Sequence, residues 1–134
     1  MLTTTCINPQ IMAAIALCGH GDKILIADGN FPLSTYCKNA DCVYLGISKG
    51  TPKVDEVLKA LTGVTNFERA EVMLPDSGDE PEVFASFREI LHTDAMDGMD
   101  RYAFYHACEG EVKLAISTGE ERVFSNILLT VGTC

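Results

Sequence analysis

Apolar positions along the chain alternate between stripes of helical period and short continuous runs, and this alternation predicts the order of its elements. Asn8-Pro9 supply a cap and a first-turn proline, after which Ile11, Met12, Ile15 and Cys18 recur at helical spacing until Gly19 offers a stop. Lys23 to Ala27 reads as a buried strand and Val43 to Ile47 as a second one. Thr51-Pro52 opens a helix in which Val54, Val57, Leu58 and Leu61 make one stripe before Gly63. A strand is predicted from Ala70 to Leu74, and the polar turn Pro75 to Pro81 leads into a helix with Val83, Phe84, Phe87, Ile90 and Leu91 inward. Asp100 caps a short helix through Arg101-Tyr102-Ala103-Phe104-Tyr105, and strands follow near Lys113 to Ser117 and Ile127 to Val131. The alternation predicts an α/β fold, a mainly parallel sheet with helices on both faces. No repeat, linker or low-complexity tract interrupts it, so residues 1–134 are expected to form a single domain.

Composition narrows the partners. At 134 residues and 47% hydrophobic content the chain can build its own core. Ten basic against 19 acidic residues, a net charge of -9, would repel phosphate backbones and anionic lipid, so neither nucleic acid nor a membrane surface is an expected partner. No apolar run approaches the roughly 18 residues of a membrane span. The start Met1-Leu2-Thr3-Thr4-Thr5-Cys6 lacks the basic and apolar stretches of a secretory leader, which predicts a cytoplasmic protein whose six cysteines are reduced. Core packing is their expected role, as for Cys18 in Ala16-Leu17-Cys18. Cys37 and Cys42 lack the further Cys or His pair of a zinc site, and no metal is expected.

The candidate chemistry brackets the first strand. Gly19-His20-Gly21-Asp22 precedes it and Asp28-Gly29-Asn30-Phe31-Pro32 follows. Histidine exchanges a proton near neutral pH, and an aspartate can orient it or hold a hydroxyl. The glycine pair around His20 ends a helix and precedes a strand, the reverse of a dinucleotide loop. Asp28 is in a turn-forming sequence, yet it also stands beyond the carboxyl end of a strand, where ligands gather in open parallel sheets. His92 and His106 are expected at solvated or helix-end positions. The aromatic run after Arg101 suits rings packed into the core. Thr118-Gly119-Glu120-Glu121-Arg122 reads as a charged loop, and Phe124-Ser125-Asn126 enters the last strand either as a solvated edge or as a group that recognises hydroxyls.

In this order, Gly19-His20-Gly21-Asp22, Asp28 with Asn30-Phe31-Pro32, Arg101 to Tyr105, and Thr118-Gly119-Glu120 leading to Asn126-Ile127-Leu128-Leu129 resemble the D-ribose pyranase and L-fucose mutarotase family over most of the chain. Arg101 and its aromatic run are similar to the fucose branch, whereas Gly50-Thr51-Pro52 and Val57-Leu58 are similar to the ribose branch. The resemblance implies a sugar mutarotase acting on a free monosaccharide, L-fucose before D-ribose. The alternatives are pyranose-furanose conversion and a non-catalytic sugar-binding or regulatory module. It implies that His20 donates the proton and that Asp28, Arg101 and the tripeptide Phe124-Ser125-Asn126 hold the sugar. The family tripeptide usually starts with tyrosine; here Phe124 lacks the phenol, and Tyr102 and Tyr105 are the candidates to supply it. Ring-shaped homo-oligomers, often decamers, with sites completed by a neighbouring subunit are likewise implied. Opening and reclosing a cyclic hemiacetal needs proton transfer and positioning alone, so no cofactor is expected. His20, Asp28 and Arg101 are expected to converge on one cleft, completed where necessary across a subunit interface.

Overall fold

The structure, a computed structural model, describes residues 1–134. Its elements run α1 (Pro9–Leu17), β1 (Lys23–Ala27), α2 (Leu33–Tyr36), β2 (Asp41–Tyr44), α3 (Val54–Thr62), β3 (Phe67–Met73), α4 (Val83–Leu91), β4 (Asp97–Met99), α5 (Arg101–Cys108), β5 (Val112–Ser117) and β6 (Ile127–Val131). One six-stranded sheet has the order β2-β5-β1-β6-β3-β4. The β2–β5, β5–β1 and β3–β4 pairings are parallel, and β6 alone runs against its two neighbours. This is the mainly parallel α/β sheet that the pattern predicts.

Caps and stripes explain the helices. Asn8 Oδ1 accepts from the Ile11 N–H at 3.0 Å, and Pro9 occupies the first turn. Asp100 Oδ1 accepts from the N–H groups of Tyr102 and Ala103, both at 3.0 Å, and so starts α5. On one face of the sheet α1, α3 and α4 cover Ile24, Ile26, Leu114, Ile116, Ile127 and Leu129. On the other, α2 and α5 cover Leu25, Ala27, Ala115 and Leu128. Both faces of β1 are therefore buried, which is why it reads as a continuous apolar run rather than an alternation. Fully buried side chains such as Leu58 and Phe104 each contribute about 1.5–3 kcal/mol. No helix is long and apolar enough to cross a membrane.

Several expected boundaries shift, and the strand expected from Ala70 to Leu74 runs Phe67–Met73. The second strand is Asp41–Tyr44 rather than residues 43–47, because the chain turns at Gly46 and forms a tight loop closed by the Ile47 N–H on Thr51 O at 3.0 Å. The four residues of α2 and the three of β4 are too short to leave a period in the sequence.

The loop after β5 ties several segments together. Thr118 Oγ1 donates to Ala27 O at 2.8 Å, the Gly29 N–H donates to Glu120 O at 2.9 Å, and the Gly119 N–H donates to Pro52 O at 3.0 Å. A Cβ at Gly119 would clash with the backbone oxygens of Ser48 and Thr51, so this close approach admits only glycine. The charged loop is not wholly at the surface: Thr118 and Glu120 are buried. Glu120 Oε1 accepts from the N–H and Nε of Arg122, both at 3.0 Å, while Oε2 accepts from Arg122 Nη2 at 2.7 Å and from the Val54 N–H at 3.3 Å. Burial opposes ionisation here, yet these donors hold the Glu120 carboxyl down at about 2.

Candidate functional site

Strand direction decides which residues meet. Because β6 is antiparallel to β1, with Ile26 opposite Ile127, the end of β1 and the beginning of β6 lie at the same end of the sheet's central strands. Asp28 and Asn126 face each other there. The Asp28 N–H donates to Asn126 Oδ1 at 2.8 Å, and Asn126 Nδ2 donates back to Asp28 Oδ2 at 3.0 Å. Asp28 Oδ2 also accepts from the Ser125 N–H at 3.3 Å and Oδ1 accepts from the Asn30 N–H at 2.9 Å. These donors fill Oδ2 and leave Oδ1 the less occupied oxygen. Burial pushes the Asp28 carboxyl above the ordinary aspartate range, and the donors from Asn30, Ser125 and Asn126 oppose that shift.

Around this pair is a cavity of about 290 Å³, open to solvent. Asp28, Asn30, Asn126 and Arg101 give it polar groups, while Phe31, Met73, Tyr105, Val123 and Phe124 make apolar walls. Arg101 starts α5, just beyond β4, and its guanidinium carbon lies 5.6 Å from the centre of the Phe124 ring. Phe124 takes a left-handed backbone conformation, φ 59°, in the turn that delivers Ser125 and Asn126 to the strand. Tyr105 stacks on Tyr36 with ring centres 4.3 Å apart and meets Phe31 edge-on at 5.4 Å, so its ring is held in the cavity wall. Burial raises the Tyr105 phenol and keeps it protonated, with Arg101 opposing the shift.

Asp28, Arg101, Tyr105, Phe124 and Asn126 thus surround one space. Others among the expected residues are elsewhere. Ser125 and Asn126 are buried, not a solvated edge, and the Ser125 hydroxyl has no partner; Ser125 touches Asp28 through its backbone. Tyr102 is 70% exposed on the outer side of α5. His20 does not join Asp28 within one chain: it precedes β1 and Asp28 follows it, so the five-residue strand, roughly 17 Å long, separates them. His20 is exposed at the opposite end of the strands, beside the end of β6, where the Gly21 N–H donates to Val131 O at 2.9 Å. Its ring nitrogen Nε2 is 3.0 Å from both Glu68 oxygens. Met73, Val123 and Glu68 were not singled out by the sequence, where nothing distinguishes them from ordinary strand or loop residues. His92 caps α4 in a left-handed conformation, φ 53°, and His106 is exposed in the last turn of α5.

The model of the RbsD / FucU transport protein family matches residues 1–134. A fucose mutarotase of Bos taurus is 28% identical over 136 residues, covering 94% of this chain and 88% of the bovine protein. A D-ribose pyranase of Kosmotoga olearia is 30% identical over 126 residues, covering 94% of this chain and 93% of its own. The crystal structure of FucU from Bifidobacterium longum superposes with a TM-score of 0.84 at 28% identity, covering 96% of this chain and 95% of that one. Both named activities thus occur among relatives at similar identity, and the chain belongs to the RbsD / FucU family.

Proposed function

We propose that this protein is a monosaccharide mutarotase, with L-fucose favoured over D-ribose, whose site is built from the cavity of one copy and His20 of a second. The reciprocal Asp28–Asn126 pair in the cavity wall carries the reading: a carboxylate and an amide fixed by their mutual bonds, with Arg101 lining the same space, make a preorganised receiver for vicinal hydroxyls. The apolar walls suit the carbon face of a sugar ring, and about 290 Å³ is at the small end of ligand pockets, appropriate to one ring. Asp28 Oδ1, Arg101 and Asn126 hold hydroxyls. His20 of the second copy exchanges the proton that opens the hemiacetal, and reclosure on the other carbonyl face gives the second anomer. Tyr105, whose ring is in the cavity wall, supplies the phenol that position 124 lacks. A ring-shaped homo-oligomer, such as a decamer, satisfies the need for a second copy in every site.

The separation of His20 from the cavity within one chain favours a second reading, a sugar-binding module that works without the histidine. Saturation-transfer NMR on L-fucose and D-ribose decides between them. His20→Ala is expected to slow anomer exchange by about 10²- to 10⁴-fold while ligand-induced shifts at the cavity persist. Wild-type protein that binds sugar without accelerating exchange would establish the binding module instead, and pyranose-furanose products would identify the ring-size conversion as the reaction.

A further inference from the structure

We infer that Glu68 is the positioning residue for His20, fixing the imidazole so that Nδ1, not Nε2, is the nitrogen that exchanges the proton; this rests on the proposed role of His20. The backbone around His20 is already held. The Gly19 N–H donates to Asp22 Oδ2 at 2.8 Å, and Asp22 and Val131 bond through the Val131 N–H at 2.8 Å. The imidazole itself contacts one polar group, the Glu68 carboxylate, with both oxygens at 3.0 Å from Nε2. An ionised carboxylate only accepts, so Nε2 must carry the hydrogen, and the other nitrogen is left free.

The sheet is built to bring Glu68 there. Along β3, Phe67 pairs with Val131 and Arg69 with Thr130, so Glu68 is the extra residue of a β-bulge. Bulges re-aim a side chain out of the strand's alternation. The position facing the bulge is also glycine: a Cβ on Gly132 would meet the Glu68 Cβ at 3.2 Å. A regular strand or a larger residue at 132 would therefore disturb the path from Glu68 to the ring. This bulge has no evident part in the core, since Glu68 is partly exposed.

The test combines exchange kinetics with NMR of the His20 ring in the oligomeric protein. Glu68→Ala is expected to slow L-fucose anomer exchange about tenfold or more, a fraction of the effect of the histidine itself, with half-saturation changed less than about twofold. The double variant His20→Ala/Glu68→Ala should be no slower than His20→Ala. Relaxation of the His20 Cε1–H should report an ordered ring in the wild type and a mobile one in Glu68→Ala, with order restored in Glu68→Gln, which keeps an acceptor. In the wild type, L-fucose should shift the Nδ1 resonance and leave Nε2 in place. Equal ring order with and without the carboxylate, multiplicative effects of the two alanine substitutions, or a sugar-dependent shift confined to Nε2 would each overturn the inference. If His20→Ala leaves exchange unaltered, the proposed function fails, and ring order in Glu68→Ala still decides whether Glu68 holds the histidine.

Discussion

At position 124 the side chain brings a ring but no hydroxyl, and its left-handed backbone sets that ring against Arg101. In the proposed mechanism a phenol reaching the sugar comes from another element, and Tyr105 lines the cavity whereas Tyr102 is exposed. Tyr105→Phe is expected to slow anomer exchange by roughly 10- to 100-fold, the loss of about 1.5–3 kcal/mol for a hydrogen bond to a reacting group. Tyr102→Phe should leave the rate within about twofold, and Phe124→Tyr should add little while Tyr105 is present. Exchange rates for L-fucose and D-ribose in the three variants check this, and a loss confined to Tyr102→Phe would reverse the assignment. The legibility of single residues follows their chemistry. Asp28 and Arg101 were readable because turn and cap sequences fix where they stand. The partner of His20 was not, because Glu68 is 48 residues away on a strand whose bulge leaves no mark in the sequence.

Elements show a similar division. The helix from Val54 and the strands Lys23–Ala27 and Ile127–Val131 were legible because their stripes and runs are long enough to display a period. The burial of Glu120 was hidden, since a carboxylate in a run of charges looks solvated until Arg122 and the N-terminus of α3 are seen to enclose it. Its folded-state pKa is depressed to about 2 from the ordinary 4.5. The group therefore contributes stability above about pH 4.5 that is lost as pH falls toward 2. Allowing for the partial exposure of Arg122, that contribution is on the order of 2 kcal/mol. Glu120→Gln should thus lower the denaturant midpoint at pH 7, and its deficit relative to wild type should shrink below pH 4.5. A deficit constant from pH 7 to pH 3 would mean that the ion pair is not its source.

Across the whole molecule, the candidate residues divide between the two ends of the central strands: the cavity collects at one end and His20 with Glu68 at the other. The proposed site, shared between copies, predicts complementation. His20→Ala and Arg101→Ala subunits, each impaired alone, should regain about a quarter of wild-type activity when unfolded and refolded together in equal amounts, since random head-to-tail assembly pairs an intact histidine with an intact cavity at that frequency. Sedimentation that shows only monomer at assay concentrations, with full activity, would exclude the shared site. Loop 118–122 has a further consequence for motion. Because its backbone and side chains bind the segments at Gly29, Pro52 and Val54, it cannot swing away as an independent flap. The amides of Gly29, Val54 and Gly119 should exchange with deuterated water at one common rate, as a single cooperative opening unit, with the loop holding one position between those openings.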